Sequence, residues 1–489
     1  MKLCCIGHGF RYETEKLCRL FLPFEIIEVL DVYEADDKVA VTKQDGEKIY
    51  ASLNIGEKFC EKSRTLSKPF TERDVERELA ALLFLCFAEV TDYSPKWGIV
   101  TGIRPARLYS AVIKELGSED AAKEFFKNKF YVNEEKISLC EETHKGEEEI
   151  IRLSQNDSFS LYISVPFCPT RCSYCSFVSH AVEKAEKLIP EYVEYLCKEI
   201  KATALIAKEN NLKLTTVYMG GGTPTTLSAQ QLIRVLSLIK ESFDFSSVRE
   251  FTVEAGRPDT ITKEKLIALK NCGVDRISIN PQTMSDQVLR AIGRAHTAAQ
   301  TVEAFIMARE VGFDNINMDL IAGLPGDDFE TFKATLYEKL KLGPESVTVH
   351  SLSMKRSSRM NVSGDFPEIK VGKIADEMVA YARETLSKNG ITPYNMYRQS
   401  KTVGNLENVG YAKKGNECLY NVYIMDETHT ILACGASAVT KMREPGGDYI
   451  ERIFNFKYPY EYIGRFDELL NRKKGIGEFY GKYPINLSL

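Results

Sequence analysis

At 489 residues the chain is too long for one ordinary hydrophobic core, and two or three domains are expected. Hydrophobic residues make up 44% and charged residues 27%, which excludes fibrous and disordered classes. The 64 Lys and Arg against 69 Asp and Glu leave a net charge of −5, which argues against a nucleic-acid partner because phosphate contacts favour a basic surface.

The elements are read in chain order. Leu3–Ile6 and Val39–Val41 are predicted strands, and Glu13–Phe21 is a predicted helix. The pattern turns strongly helical over Thr71–Ala88; Ala80–Val90 is its most apolar stretch, too short for a membrane span and suited to a buried helix. Helices are predicted over Pro105–Leu116, Glu119–Lys127 and the highly charged Glu134–Leu153. The polar stretch Ser154–Ser160 reads as a linker and a domain boundary. Beyond it, strands Leu161–Pro166, Thr215–Met219, Glu250–Ala255, Asp275–Ile279, Asn315–Ile321 and Ser346–Leu352 alternate with helical patterns. These helices are Ile189–Ala207, Ala229–Ser242, Lys263–Asn271, Ala298–Val311 and Asp328–Leu342. Repeated strand–helix units imply a parallel sheet with helices outside, and six units fall short of an eight-fold barrel. The predicted fold class is α/β, a partial (β/α)6 barrel with an N-terminal α+β domain and a C-terminal α+β region. A last region begins near Lys373 with a helix and continues through Tyr394–Gln399, Asn405–Tyr411 and an expected hairpin of Glu417–Met425 with Thr430–Cys434. The expected domains are residues 1–155, of unassigned role, the barrel at 156–370, and a substrate-covering region at 371–489.

Met1–Gly7 offers no apolar stretch of signal-peptide length, so a cytoplasmic protein without a membrane span is expected. Thirteen cysteines, an odd number, speak against a disulfide scaffold. Most, such as Cys86 and Cys197, sit in apolar stretches as small buried hydrophobes. Cys168, Cys172 and Cys175 are different: three potential thiolates within eight residues, directly after a predicted strand. Thiolates suit zinc or iron–sulfur clusters. Zinc would need a fourth ligand, for which His180 is available. A four-iron cluster on three cysteines would keep one iron open for a small molecule. Buried cysteines brought together by chance are disfavoured by the polar Arg171 and Ser173.

Barrel active sites lie at the C-terminal ends of strands, and polar residues collect there. Gly220-Gly221-Gly222-Thr223-Pro224-Thr225 follows one strand; its glycines allow a backbone to approach a ligand closely. It lacks the Gly-Lys-Ser/Thr ending of a phosphate loop, and a plain turn is the alternative. Glu254, Gln282 and Asp319 follow other strands, and Arg294 lies in a Gly-Arg-Ala-His segment. Each alone is a weak signal, and Glu254 or Arg294 by itself would more often be a surface or paired charge.

Cys-x3-Cys-x2-Cys with Tyr174 before its last cysteine resembles the radical S-adenosylmethionine (SAM) motif. Its setting, Tyr162-Ile-Ser-Val-Pro-Phe-Cys168, resembles the oxygen-independent coproporphyrinogen III oxidase branch, over about residues 161–440. The resemblance implies a [4Fe–4S] cluster on Cys168, Cys172 and Cys175. It implies SAM contacts at Tyr162, Tyr174, Gly221, Gly222, Thr223, Glu254, Gln282, Arg294, Asp319 and Ile321. It implies transfer of one electron from the cluster to SAM, a 5′-deoxyadenosyl radical, and conversion of two propionates of coproporphyrinogen III to vinyls. No residue is assigned a catalytic step. The implied partners are a tetrapyrrole substrate and an electron donor such as flavodoxin or ferredoxin. A tetracarboxylate calls for guanidinium partners, and the candidates are Arg104, Arg107, Arg257 and Arg398. Arg104-Pro105 also reads as a helix start.

Phe177 stands where the well-studied oxidase type has a further cysteine; the heme-chaperone relatives also have an aromatic residue there. The Trp97-Gly-Ile-Val-Thr-Gly-Ile-Arg-Pro105 segment resembles a longer variant named coproporphyrinogen dehydrogenase. Two other functions remain open. One is a heme-binding chaperone or carrier, with His180, His296, His350 or His429 as the iron ligand. The other is a radical SAM enzyme acting on another tetrapyrrole, as in heme ring opening by methyl transfer.

Overall fold

Short apolar strands separated by Asp-Gly and Gly-Glu turns build the first sheet. Its strands are β1 (Lys2–Ile6), β2 (Glu28–Leu30), β3 (Lys38–Asp45), β4 (Lys48–Ile55) and β5 (Lys58–Thr65), in the order β2-β1-β3-β4-β5. β1 runs parallel to β2 and β3, while β3, β4 and β5 form an antiparallel meander. The inward residues Leu3, Ala40, Ala51 and Leu53 are buried with Leu79, Leu82, Leu83, Cys86 and Phe87 of helix Glu72–Thr91. That helix starts where Thr71 and Asp74 form a reciprocal cap; the Thr71 amide and hydroxyl hold the Asp74 carboxylate down to about 2. The predicted helix Pro105–Leu116 has the same bounds in the structure, with proline in its first turn and Gly117 at its left-handed end.

The computed structural model describes residues 1–175, 177, 179–353, 367–399 and 401–485. The chain divides into two units. One comprises residues 1–144, 351–380 and 396–408, the other residues 145–350, 381–395 and 409–489. Within the first, Lys136 and Glu407 form a buried ion pair at 2.7 Å, and the indole of Trp97 donates to the same carboxylate at 2.7 Å.

The large sheet of the second unit contains β6 (Ser158–Val165), β9 (Lys213–Gly221), β10 (Glu250–Glu254), β11 (Arg276–Ser278), β12 (Ile316–Ala322) and β13 (Ser346–Ser351). Two two-residue strands, β7 (Phe167–Cys168) and β8 (His180–Ala181), pair in parallel beside it. The sheet continues with β14 (Thr392–Arg398), β15 (Glu407–Ala412), β16 (Thr430–Cys434), β17 (Val439–Arg443) and β18 (Ile450–Phe454). Its order is β14-β15-β13-β12-β11-β10-β9-β6-β16-β17-β18. Ser351, Met396–Arg398 and Glu407–Asn408, at three strand ends, are counted with the first unit. β6, β9, β10, β11 and β12 are mutually parallel neighbours. These five strands, with β13 next beyond β12 in the order, form an open series, the predicted partial barrel. Apolar residues on one face bury it against the helices: Leu161, Ile163, Val217, Val253 and Ile277 of the strands pack with Leu196, Leu232, Leu236 and Leu269, while the alternate positions Ser160, Thr216, Thr252 and Ser278 are buried polar residues.

The C-terminal hairpin expectation is corrected. Leu419–Asp426 is a helix, not a strand, and Thr430–Cys434 pairs in parallel with β6 and antiparallel with β17. The buried Glu250 carboxylate accepts the backbone amides of Leu419 at 2.6 Å and Tyr420 at 3.4 Å. A carboxylate from a distant strand thereby caps the first turn, a long-range contact that local propensity does not record.

Candidate functional site

The cysteine loop leaves the C-terminal end of β6 and is closed by the β7–β8 bridge. Cys168, Cys172 and Cys175 are all half-buried in this loop, and none is in a disulfide. Backbone contacts pin its far side: the Ser173 amide donates to the Ile292 carbonyl at 3.1 Å, and the Thr170 hydroxyl to Gly293 at 3.1 Å. The near side meets the glycine loop. Thr223 donates its amide to the Phe167 carbonyl at 2.7 Å and directs its hydroxyl at the Cys168 sulfur at 3.5 Å. A side chain at Gly222 would place Cβ 2.5 Å from the Phe167 carbonyl oxygen, so only glycine allows this approach.

Tyr162, Tyr218 and Tyr420 stack nearby, with Tyr218 and Tyr420 centroids 4.5 Å apart. Tyr218 donates to Glu254 at 2.6 Å. Burial pushes the Glu254 carboxyl up to about 7, against the pull of that hydrogen bond. Gln282 adopts φ +72°, and its buried side-chain oxygen has no hydrogen-bond partner. Its backbone links to the next strand through Asp319 and Ile321. Asp319 accepts from Asn317 at 2.8 Å and lies 3.4 Å from His350; burial opposes its ionisation, but these partners hold its carboxyl below the ordinary value. Arg294, buried, donates to the Tyr174 hydroxyl at 3.2 Å and to the Asn280 carbonyl. His296 is buried with both ring nitrogens unpartnered; burial and the Arg294 charge push it down to about 3, leaving a neutral imidazole.

The donor set fits an iron–sulfur cluster with SAM. Three half-exposed thiols share one polar loop, a glycine backbone abuts it, and buried polar atoms at Gln282 and His296 lack protein partners. Among the described residues no three His, Cys, Asp or Glu side chains gather around a single metal ion.

The arginines sort differently. Arg257 lies in this unit, its guanidinium engaged by Asp259, Thr170 and Cys172. Arg104, Arg107 and Arg398 belong to the first unit. The Arg398 guanidinium donates to the Val100 and Asn405 carbonyls and covers the Trp97 ring; burial pulls it down to about 10. Arg104 and Arg107 are half-buried at the start of helix Pro105–Leu116. Sequence reading missed Tyr218, Tyr420 and Asp259 as members of the constellation and named His350 only as a heme-ligand candidate. Tyr218 carried a signal, two positions before Gly220 on a strand; Tyr420 carried none.

Comparison with known proteins agrees with this geometry. The radical SAM superfamily matches residues 162–337. The oxygen-independent coproporphyrinogen-III oxidase-like protein HemZ of Bacillus subtilis is 37% identical over 424 residues, covering 84% of this chain and 83% of its own. The heme chaperone HemW of Lactococcus lactis is 36% identical over 282 residues, covering 57% of this chain and 69% of its own. Among solved structures, the coproporphyrinogen III oxidase HemN of Escherichia coli shares the fold, with a TM-score of 0.50, 21% identity and coverage of 65% of this chain and 71% of that one. The superfamily uses a [4Fe–4S] cluster and SAM, and these are the cofactors of this chain. The chain is a radical SAM protein and belongs to the family of HemZ, the oxygen-independent coproporphyrinogen-III oxidase-like protein.

Proposed function

We propose that the protein is a radical SAM oxidoreductase that converts propionates of coproporphyrinogen III to vinyls, giving protoporphyrinogen IX without oxygen. The observation that carries this reading is the junction of Cys168 with Thr223, which sets the cysteine loop against the glycine loop at adjacent strand ends. In this reading Cys168, Cys172 and Cys175 hold the cluster. Tyr162, Tyr174, Gly221, Gly222, Thr223, Glu254, Gln282, Arg294, Asp319 and Ile321 hold SAM. The bound cofactors supply a carbon-centred radical able to remove hydrogen from a propionate. The chain's own contribution is to orient SAM, exclude water and place carboxylates beside guanidinium groups. Arg104, Arg107, Arg257 and Arg398 are the propionate partners of this reading, and each is already engaged within the protein. A ferredoxin or flavodoxin supplies electrons, and thirteen cysteines outside any disulfide suit the reducing cytoplasm.

The deciding experiment is anaerobic incubation of the cluster-loaded protein with coproporphyrinogen III, SAM and reductant. Vinyl product, CO2 and 5′-deoxyadenosine are expected by mass. A fully loaded protein that forms none of them overturns the reading, and a product of another mass points to another tetrapyrrole reaction.

One observation favours a second reading, a heme carrier. His180 has a buried Nε2 without a hydrogen-bond partner, with the rings of Tyr458 and Tyr460 set edge-on at 6.0 and 6.4 Å. His429 is unsuited because both its nitrogens bond to serines. Stoichiometric heme binding without turnover, lost in His180→Ala, is the result this reading expects.

A further inference from the structure

Arg257 follows β10 and opens the short turn Pro258–Thr260. It is only 3% exposed. A guanidinium so buried needs a counter-charge and partners for its N–H groups. Asp259 supplies the charge in fork-to-fork geometry, with Nε to Oδ1 at 3.0 Å and Nη2 to Oδ2 at 2.9 Å. This leaves Nη1 on the far edge of the plane. Nη1 donates to the Thr170 hydroxyl at 3.1 Å and reaches the Cys172 sulfur at 3.7 Å. Thr170 in turn donates to Gly293, which ties the same edge to the segment leading into Arg294. The guanidinium is therefore locked on three sides, with one N–H edge directed at a single cysteine.

Cys168 and Cys172 are not treated alike. Cys168 receives a neutral hydroxyl from Thr223, whereas Cys172 receives a buried cation. Lysine could not replicate this, since a point ammonium cannot grip Asp259 with two parallel bonds and still present a third donor at a fixed angle.

We propose that Arg257, held by Asp259, is a positioning residue for the iron–sulfur cluster: it directs an N–H···S hydrogen bond to Cys172 and thereby raises the cluster's reduction potential. The physical basis is that a cluster gains negative charge on reduction. A donor and a positive charge at one ligand sulfur stabilise the reduced form more than the oxidised form. The effect brings the cluster within reach of a modest electron donor. This inference rests on the cluster assignment within the proposed function and not on the identity of the tetrapyrrole.

The test is a potentiometric titration of the cluster-loaded protein, followed by electron paramagnetic resonance of the reduced cluster. Arg257→Met, Arg257→Lys and Asp259→Asn are compared with the wild type at matched iron and sulfide content. The expected result is a more negative midpoint in Arg257→Met, so that the fraction reduced at the wild-type midpoint falls several-fold. Asp259→Asn should shift in the same direction by less, and Arg257→Lys should not restore the wild-type value. A loaded Arg257→Met protein with the wild-type midpoint overturns the proposal. Should Arg257→Met fail to fold or load, Asp259→Asn decides, and an unshifted midpoint there overturns it as well. Wild-type protein that takes up no cluster defeats this inference and the proposed function together. Loaded wild type that makes no vinyl product defeats only the latter.

Discussion

Tyr218 and Glu254 occupy adjacent parallel strands and meet through a 2.6 Å hydrogen bond between phenol and carboxylate. Burial raises the Glu254 carboxyl to about 7, and the phenol pulls the other way. Below that pH the group is protonated and loses its charge for a cationic ligand. SAM affinity is therefore expected to weaken as pH falls through about 7. In Tyr218→Phe the carboxyl should rise further, so that affinity at neutral pH drops and returns at higher pH. Calorimetric titrations of SAM across this range check both; a pH-independent affinity in the wild type would contradict the assignment.

Gly222→Ala should prevent cluster assembly. Its Cβ would lie 2.5 Å from the Phe167 carbonyl oxygen and 2.9 Å from the Phe167 nitrogen, both backbone atoms that cannot swing aside. A cost on the order of 2 kcal/mol is expected locally. Iron content and visible absorbance after reconstitution measure the result, and Gly46→Ala, open on the outside of its turn, is the comparison for cavity-free strain.

His429 gives the fold a pH dependence of defined sign. It is 4% exposed, bridges Ser154 and Ser160, and burial, then the charge of Arg443, push it down to about 3. The unfolded chain takes up a proton near 6.5 that the folded chain refuses until about 3. The contribution to stability is thus complete above the unfolded value and is lost as pH falls below it, by up to about 1.4 kcal/mol per pH unit. Urea midpoints at several pH values should show this slope, and His429→Gln should flatten it.

The Lys136–Glu407 pair in the first unit predicts a large single-site effect. Both side chains are essentially inaccessible. Glu407→Gln removes the nearest of three carboxylates around Lys136, leaving Glu135 at 3.5 Å and Asp376 at 3.8 Å, and should cost about 1–3 kcal/mol, whereas replacing one partner of an exposed pair such as Lys388–Glu384 should cost under about 1 kcal/mol. Chemical denaturation of the two variants separates these outcomes.

Much of the barrel was legible because its signals are local. Strand–helix alternation, caps and loop chemistry repeat on a short period, so helices Ala229–Ser242, Lys263–Asn271 and Ala298–Val311 have the predicted bounds. The cysteine spacing pointed to the cofactor for the same reason, as three ligands lie within eight residues. The helix Leu419–Asp426 was misread because its cap comes from Glu250, 169 residues before Leu419.

By itself, then, the amino-acid order determined the superfamily, the open series of parallel strands and the three thiols, all of which depend on near neighbours along the chain. Tertiary structure alone decided that segments 351–380 and 396–408 pack with the first 144 residues, that Tyr218 governs Glu254, and that Arg257 turns to Cys172. Those outcomes depend on burial and on charges brought together from distant positions, and electrostatic contacts of that kind leave no periodic trace in a sequence.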